Sequence, residues 1–331
     1  MTPNPWRGRA VFITGGTGSF GHAAVRRALD GDAERVIVYS RDEVKQAALA
    51  DTLPGESRMR YFLGDVRDPW RLSLAMRGVD VVLHAAALKR VEEGEYNPTE
   101  FVATNVDGTR NVLRAALDAG VHRMVTLSTD KACNPVNLYG TTKLCAEKLT
   151  QAMQAAVGRG PTRFCAVRYG NVAGSRGSVI PRWREALAAG RPVTITDPTM
   201  TRFWITLAEA VDLVEYALLH TQGGEVFVPK LSAYLVGDLA AALHPDARSG
   251  SWLPQHTLAG TRPGEKRHEA LIGPDEVVYD TGAEGPYLLA PSRWASPHLV
   301  RGEPMPHGFT LTSDAAPQLD VARLRKLLES V

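Results

Sequence analysis

The sequence predicts a doubly wound α/β fold, in which helices cover both faces of a mostly parallel sheet. Two observations support it: short apolar segments alternate with amphipathic ones, and the apolar segments are continuously hydrophobic, as in strands buried on both faces. In chain order these segments read RAVFIT, RVIVYS, MRYFLGD, DVVLHAAA, RMVTLST and TRFCAVRYG. Right-handed crossovers place the loops that follow such strands along one sheet edge, where ligands bind.

The composition excludes several function classes. The chain has 331 residues, 44% of them hydrophobic and 22% charged, so one large domain or two closely packed ones are expected. The net charge of +2 arises from mixed signs without a basic stripe, so no nucleic-acid partner is expected. The apolar segments are too short to cross a bilayer and the start, MTPNPWRGR, lacks a signal-peptide core, so we expect a cytoplasmic protein without a membrane partner.

The three cysteines predict neither a disulfide framework nor a metal site. Cys133, Cys145 and Cys165 are odd in number and lack CxxC spacing, which fits a reducing compartment. Because no histidine lies near Cys133 in the sequence, we interpret it as a small buried hydrophobe rather than a nucleophile.

A glycine-rich loop, TGGTGSFG, follows the first predicted strand and opens a helix. In that context Gly15, Gly18 and Gly21 allow a tight turn, approach of a pyrophosphate to the backbone and close packing of the helix on the strand. The loop therefore predicts a Rossmann-type dinucleotide site, and its spacing resembles that of short-chain dehydrogenases/reductases. A glycine turn without a ligand is the alternative interpretation.

The end of the second strand favours NADP over NAD. Where an NAD enzyme usually places an acid for the ribose hydroxyls, this chain has Ser40 and Arg41, and an arginine fork suits a 2′-phosphate. Asp42 remains within reach of a hydroxyl, so NAD is the alternative. Asp65 is placed to accept from the adenine amino group, as in related proteins, or is simply an acid at a strand end.

Tyr139 and Lys143 form a YxxxK pair in the segment STDKACNPVNLYGTTK, residues 128–143. On a helix this spacing puts the phenol and the ammonium on one face. A free phenol has a pKa of about 10, and an adjacent cation favours its ionised form. The pair is therefore predicted to accept a proton, although YxxxK also occurs by chance on exposed helices.

Thr129, Asp130 and Lys131 end the fifth strand and should emerge beside the cofactor. Together with STDKACNPVNLYGTTKLCAEKL, several further segments resemble the UDP-N-acetylglucosamine 4,6-dehydratases of the extended short-chain dehydrogenase/reductase superfamily, most closely the C5-inverting, pseudaminic-acid-type branch. They are TGGTGSFG, YSRDE, GDVRD, HAAALK, RYGNVAGSRGSVIP, MTRFWIT and RPGEKRHE. The likeness runs from about residue 8 to 272 and is weaker beyond.

The resemblance implies a reaction in which the cofactor is regenerated. Tyr139 would take the proton of the sugar 4-hydroxyl while NADP⁺ takes the hydride from carbon 4, with Lys143 holding phenolate and ribose and Thr129 holding the 4-oxygen. Lys131 would then remove the proton of carbon 5 and Asp130 would protonate the departing 6-hydroxyl. The hydride would return to carbon 6, so a hydro-lyase is expected.

Lys131 separates two branches of these dehydratases, because the retaining enzymes carry glutamate at this position. A lysine base must lose its proton, and lowering its pKa from about 10.4 toward 7 takes several kcal/mol of desolvation or neighbouring positive charge. A surface ion pair between Asp130 and Lys131 is the alternative.

The resemblance also implies the binding residues. For NADP it implies Gly15, Thr17, Gly18, Ser19, Phe20, Gly21, Ser40, Arg41, Asp65, Val66, Ala85, Ala86, Tyr139 and Lys143. For UDP-N-acetylglucosamine it implies Lys89, Asn171, Arg176, Val179, Arg202, Arg262 and Glu265. Guanidinium forks match phosphate oxygens, so we expect the three arginines to converge on the diphosphate; solvated surface arginines are the alternative.

The chain is expected to form two interleaved lobes and a homo-oligomer, a dimer or higher. An NADP-binding lobe would span 1–172 and be rejoined by about 203–230, and a smaller α/β nucleotide-sugar lobe would span 173–202 and 231–331. Arg90–Glu93 replaces a histidine, valine and proline that related enzymes tend to have, which predicts a different pocket beside Lys89. The alternatives are another nucleotide-sugar 4,6-dehydratase, an epimerase and an NADP-sensing module. A module of the last kind usually lacks part of YxxxK.

Overall fold

The computed structural model describes residues 3–158, 160–244, 256–290 and 301–331. In its first half, strands alternate with helices as the apolar segments predict. A π-helical stretch at Val102–Asp107 and a 3-10 turn at Asp130–Ala132 interrupt the regular elements. These elements are β1 (Ala10–Thr14), α1 (Ser19–Asp30), β2 (Arg35–Ser40), α2 (Glu43–Asp51), β3 (Met59–Leu63), α3 (Pro69–Ala75), β4 (Val81–His84), α4 (Val91–Tyr96), α5 (Pro98–Phe101), α6 (Gly108–Asp118), β5 (Arg123–Leu127), α7 (Leu138–Ala156) and β6 (Arg163–Val167).

The second half has shorter strands. Its elements are α8 (Val179–Ala188), β7 (Val193–Ile195), β8 (Thr201–Phe203), α9 (Leu207–His220), β9 (Val226–Val228), β10 (Ala233–Leu235), α10 (Val236–Leu243), β11 (His256–Leu258), β12 (Ala270–Ile272), β13 (Val278–Asp280), β14 (Tyr287–Leu289), β15 (Glu303–Pro304), β16 (Leu311–Thr312) and α11 (Val321–Leu328).

A ten-stranded sheet forms the centre of the fold, in the order β3-β2-β1-β4-β5-β6-β9-β14-β13-β15. The first seven strands in this order are parallel, whereas β14, β13 and β15 add antiparallel at the far edge. The chain order reverses between β1 and β4, which is the switch point where doubly wound sheets bind ligands. The predicted fold class is therefore confirmed.

Strand β1 shows how both faces of the sheet are buried. All five of its residues are buried. Val11 and Ile13 pack in one core cluster with Val214 of α9, whereas Phe12 packs in a second cluster with Val112 of α6. Successive side chains of a strand point to opposite faces, so the helices lie on both sides of the sheet.

A smaller lobe packs around helices α8, α10 and α11, whose apolar side chains form a separate core cluster. Its strands form three pairs, β8–β10, β7–β11 and β12–β16. Helix α9 and strand β9 return to the large sheet, and β13–β15, which the sequence analysis assigned to the sugar-binding lobe, extend that sheet. The functional division into two lobes remains a prediction.

A buried ion cluster around Arg168 joins the two halves of the chain. Its guanidinium donates to both carboxylate oxygens of Glu147 on α7, at 2.6 and 2.9 Å. It also donates to the carboxylate of Glu276 at 2.8 and 2.9 Å and to the carbonyl of Leu271 at 3.0 Å. Because each guanidinium proton has an acceptor, the buried charge is compensated and α7 is tied to the loop after β12.

Over the residues that the structure describes, no helix has the length and apolar character required to span a membrane. In the same part of the chain no three His, Cys, Asp or Glu side chains are grouped as metal ligands. Cys133 and Cys165 are buried free thiols, and Cys145 is a partly buried one.

Candidate active site

A cavity of about 710 Å³ lies at the carboxyl edge of the parallel strands. Its walls come from the glycine-rich loop, from the ends of β2, β4, β5 and β6, and from the segment 169–180. Most of the predicted cofactor and catalytic residues meet here, as the strand order requires.

The glycine-rich loop is shaped so that the backbone itself forms the cavity wall. Gly15 has φ +66°, and a Cβ there would lie 2.8 Å from the backbone nitrogen of Ala86. At Gly21 a Cβ would lie 2.4 Å from the Cα of Gly16, so α1 can begin this close to β1 only without a side chain. The N-terminus of α1 therefore faces the cavity with free N–H groups, an arrangement that binds phosphate.

The end of β2 presents cations where the sequence predicts a 2′-phosphate. The hydroxyl of Ser40 lies 3.0 Å from that of Thr17, and Arg41 is half exposed in the cavity wall, 3.3 Å from Asp65. Asp42 accepts from the backbone N–H of Lys45 at 2.9 Å and is paired with the Lys45 ammonium. Asp42, the alternative ribose acid, thus caps α2 and also lines the cavity.

Sequence reasoning missed Lys45, which also lines the cavity. Its signal was its position one helical turn into α2. Asp65 lines the cavity too; although burial opposes it, hydrogen bonds from Arg67 and the charge of Arg41 lower the Asp65 pKa. The other residues predicted for the cofactor likewise line the cavity, namely Thr17, Gly18, Ser19, Phe20, Val66, Ala85 and Ala86.

The predicted catalytic side chains meet at the end of β5. The Lys131 ammonium lies 3.0 Å from Oδ1 of Asp130 and 3.2 Å from Oδ1 of Asn171. The Thr129 hydroxyl donates to the same Asp130 oxygen at 2.9 Å and is hydrogen-bonded to Tyr139. Thr129, Lys131 and Tyr139 line the cavity, whereas Asp130 is fully buried behind them.

Local packing explains this arrangement. Asp130 begins the 3-10 turn, and its backbone N–H donates to the carbonyl of Tyr169 at 3.0 Å. Helix α7 begins beside it, capped by Asn137, which accepts from the N–H of Gly140 at 2.8 Å. A Cβ at Gly140 would lie 2.2 Å from the Lys131 carbonyl oxygen, so the glycine within YGTTK lets the two catalytic elements touch.

The expected effect of Lys143 on Tyr139 is not the one observed. Burial raises the Tyr139 pKa, and the charge of Lys131 and the hydrogen bond of Thr129 oppose that rise. Lys143 instead donates to the carbonyl of Leu127 at 2.5 Å, and burial lowers its pKa to about 8. The cation that favours the phenolate is therefore Lys131, because Lys143 points to the backbone of β5.

The Lys131 pKa moves in the direction opposite to that expected for a base. Burial alone lowers it, but the carboxylates of Asp130 and Glu269 outweigh burial and the opposing charge of Arg202, so the net shift is upward. The sequence analysis considered neighbouring positive charge and missed Glu269, whose carboxylate lies 3.6 Å from the ammonium. Its signal was an acid directly before the buried strand β12.

Of the three predicted diphosphate arginines, Arg202 and Arg262 meet at Glu265, and Arg176 lies at the glycine-rich loop. The backbone N–H of Arg176 donates to the Ser19 hydroxyl at 2.9 Å, which places it at the glycine-rich loop. Buried Arg202 contacts Glu265 at 3.2 Å, and the backbone N–H of exposed Arg262 donates to the other Glu265 oxygen at 3.4 Å. Long arginine side chains on separate segments are positioned by tertiary contacts, which the sequence pattern does not contain.

The cavity wall contains further predicted substrate residues and two tyrosines that were not predicted. Lys89, Asn171 and Val179 line the cavity, and burial lowers the pKa of Lys89. Lining residues that the sequence analysis missed include Tyr169 and Tyr234, whose phenols are buried.

Comparison with known proteins agrees with this geometry. The family described as polysaccharide biosynthesis protein matches residues 11–290. The UDP-N-acetylglucosamine 4,6-dehydratase (inverting) of Campylobacter jejuni serotype O:23/36 is 43% identical over 324 residues, 95% of each chain. A UDP-glucose 4-epimerase of Rickettsia akari is 41% identical over 285 residues, 85% of this chain and 82% of that protein.

The solved structure of Pen from Bacillus thuringiensis is 34% identical and superposes with a TM-score of 0.88, covering 98% of this chain and 99% of that one. Family match, curated relatives and solved structure thus agree over both halves of the chain. The chain belongs to the polysaccharide biosynthesis protein family, within the extended short-chain dehydrogenases/reductases.

Proposed function

We propose that the chain is a UDP-N-acetylglucosamine 4,6-dehydratase of the C5-inverting type, a hydro-lyase that produces a UDP-4-keto-6-deoxy-N-acetylhexosamine. The observation behind the proposal is the Lys131 ammonium in the cavity wall, in contact with Asp130 and adjacent to Tyr139. A simple dehydrogenase needs the phenol but has no task for the acid and the lysine. The name of the Campylobacter jejuni relative supports the same activity.

The cavity fits NADP as cofactor. The N-terminus of α1 in the cavity wall suits a pyrophosphate, and the Arg41 guanidinium in the same wall suits a 2′-phosphate. When bound, NADP⁺ supplies reversible storage of the hydride that leaves carbon 4 and returns to carbon 6. Lys143, buried at the end of β5, holds the nicotinamide end in place.

Tyr139 accepts the proton of the sugar 4-hydroxyl. Its pKa is raised by burial, so the neighbouring Lys131 cation and the Thr129 hydroxyl determine how readily the phenolate forms. Removal of this proton allows the 4-ketone to form, and the ketone acidifies carbon 5. Oxidation therefore has to precede elimination, and the same side chains serve both steps.

The raised pKa of Lys131 fits elimination when the lysine and Asp130 act as a pair. Transfer of one proton from the ammonium to Oδ1 of Asp130, over 3.0 Å, produces a neutral amine and a protonated acid together. The amine then takes the proton of carbon 5. The hydrogen bond between Thr129 and Asp130 reverses, so that the Thr129 hydroxyl accepts the proton of Asp130 and gives its own proton to the departing 6-hydroxyl. Elimination of water restores the ammonium and the carboxylate, so the pair begins the next turnover unchanged.

The UDP-sugar is held by residues from both halves of the chain. Asn171, Val179 and Lys89 line the cavity next to the catalytic wall. Arg202 and Arg262, which both contact Glu265, hold the uridine diphosphate part, with Glu265 near the ribose. The free cysteines fit a reducing cytoplasm. A homo-oligomer, a dimer or higher, stays a prediction.

A 4-epimerase is the second candidate, because the Rickettsia akari relative has that name. It would use Tyr139 in the same way and would leave Asp130 and Lys131 without a role. Its product has the mass of its substrate, whereas the dehydratase product is lighter by one water.

The test is a single turnover of UDP-N-acetylglucosamine with NADP⁺. In Lys131→Ala, NADPH absorbance should appear more slowly, because the cation that favours the Tyr139 phenolate is lost, and should then persist, because elimination does not proceed. Tyr139→Phe should slow the formation of NADPH by about 10²- to 10⁴-fold. Wild-type enzyme in heavy water should give a dehydrated product with deuterium at carbon 5 in the L-arabino configuration.

Three results would count against the proposal. A product of unchanged mass indicates the epimerase. Steady accumulation of NADPH at the rate of product formation indicates a simple dehydrogenase. Near-normal dehydration by Lys131→Ala shows that this lysine is only a cation at the end of β5.

A further inference from the structure

Glu269 is a buried carboxylate beside the catalytic lysine that the reaction described above does not use. Its Oε1 lies 3.6 Å from the Lys131 ammonium and 4.0 Å from the Arg202 guanidinium, and its side chain is 3% exposed. Its Oε2 is buried and, among the residues that the structure describes, has no hydrogen-bond partner. A buried carboxylate with one unpaired oxygen is costly, which suggests a role beyond packing.

The backbone fixes Glu269 in this position. Its N–H donates to the hydroxyl of Ser313 at 2.9 Å, and the N–H of Ser313 donates to the Glu269 carbonyl at 2.8 Å. Strand β12, which begins at the next residue, pairs with β16 directly before Ser313. Because Glu269 and Ser313 make both hydrogen bonds, the paired strands β12 and β16 rather than a loop fix the Glu269 carboxylate beside Lys131.

We propose that Glu269 is a positioning residue for Lys131: with Asp130 it holds the ammonium between two carboxylates and sets the pH range in which elimination proceeds. This inference rests on the proposed dehydratase function. Elimination requires one proton shared between Lys131 and Asp130. The negative charge of Glu269 favours the binding of the first and of the second proton by the Lys131–Asp130 pair. The lower and the upper limit of the active pH range therefore both lie higher than they would without Glu269.

Other groups around the pair bear on the same protons. Arg202 opposes Glu269, and the phenols of Tyr139 and Tyr234 both respond to the charge of Lys131. His268 precedes Glu269 in the chain, but its Nδ1 is hydrogen-bonded to the Thr201 hydroxyl at 2.8 Å. After Asp130, Glu269 is the second carboxylate in contact with the Lys131 ammonium. Its removal should therefore change the proton affinity of the pair more than the surrounding uncharged groups do.

The test compares Glu269→Gln with wild type by the pH dependence of product formation after NADPH has appeared in a single turnover. Both limbs of the elimination profile should move to lower pH by about one unit or more, because an opposite charge within this distance shifts a pKa by that amount. Glu269→Asp keeps the charge and should move the limbs less. Unmoved limbs in Glu269→Gln overturn the proposal.

Glu265→Gln is the matched control, because Glu265 also contacts Arg202 but not Lys131. We expect it to raise KM for the UDP-sugar and to leave both pH limits of elimination in place. If both glutamine variants move the limits equally, the effect passes through Arg202 and the Lys131 assignment is wrong.

A double-mutant cycle keeps the proposal testable if Glu269→Gln folds poorly. The loss of unfolding free energy from Glu269→Gln should shrink when Lys131 is already methionine, and an unchanged loss overturns the contact. Failure of the dehydratase proposal is distinguishable, since wild type would then release no dehydrated product. If wild type dehydrates the substrate and Glu269→Gln leaves both limbs of the elimination pH profile unmoved, only the role of Glu269 is refuted.

Discussion

The catalytic segment and the arginine-bearing segments occupy the same region of the molecule but are built differently. Residues 128–143 place Asp130, Lys131 and Tyr139 within one strand end, one short turn and one helix start. Arg202 and Arg262 instead come from separate segments and meet only through Glu265. Chemistry encoded within one short segment keeps its geometry through local packing, whereas recognition built from distant segments depends on the whole fold.

Exposure separates the catalytic segment from Arg262 but not from Arg202, which is buried as well. Asp130 is 0% exposed and Lys143 5%, whereas the Arg262 side chain is 46% exposed. Buried groups respond strongly to neighbouring charge and to small displacements, and exposed ones are screened by water. Substitutions in the catalytic segment should therefore have larger effects than substitution of Arg262.

The largest effect is expected for Gly140→Ala. The added Cβ would lie 2.2 Å from the Lys131 carbonyl oxygen, so the 3-10 turn and α7 have to separate. A displacement of the catalytic groups by about 1 Å costs about 10²-fold in activity. Overpacking costs about 1–3 kcal/mol of stability, even though alanine favours a helix more than glycine does. Activity and urea unfolding measure the two effects.

Thr141→Ala is the control for that change, since Thr141 is the next residue of α7 and is exposed. It should stay within about 0.5 kcal/mol of wild type. If Gly140→Ala behaves in the same way, the close contact between turn and helix is not what holds the catalytic groups.

A second effect distinguishes the arginines from one another. Arg176 lies at the glycine-rich loop. The pKa of His22 in this region is lowered by burial first and by the charge of Arg176 second. Arg176→Ala should therefore weaken NADPH binding about tenfold and UDP binding less. Arg41→Ala should weaken NADPH far more than NADH. Calorimetry of both variants with NADPH, NADH and UDP provides the measurement. Loss of UDP binding alone would return Arg176 to the substrate, and equal losses of NADPH and NADH would exclude a 2′-phosphate role for Arg41.

The smallest effect concerns pH. Burial lowers the Lys143 pKa from 10.5 to about 8, with Glu147 opposing. Between these values the unfolded chain binds more protons than the folded one, so stability rises with pH in that range. From about pH 7.5 to 9, wild type should gain about 1 kcal/mol relative to Lys143→Met in urea unfolding. A constant difference between the two proteins would contradict the buried lysine.

Sequence reasoning reached the parts of the site that lie within single segments. The glycine-rich loop, the YxxxK pair and Asp130–Lys131 are each encoded by neighbouring residues, and the cavity brings them together. The direction of the Lys131 pKa could not be predicted, because it depends on Glu269, which is distant in the sequence and adjacent only through the pairing of β12 with β16.

The same reason explains the missed strands at the edge of the sheet. Strands β13 and β14 have three residues each and β15 has two, too few for a periodic pattern. Their place follows from pairing with β9, a contact that no local signal predicts.

The ion cluster around Arg168 has a consequence for how the chain is made. Helix α7 leaves the ribosome long before Glu276, yet the guanidinium that binds its Glu147 also requires Glu276 and the Leu271 carbonyl. A nascent chain that stops before residue 271 would bury a guanidinium with part of its acceptors missing. The Arg168 ion cluster is therefore completed only after synthesis has passed β12, so this link between α7 and the loop after β12 forms late in translation.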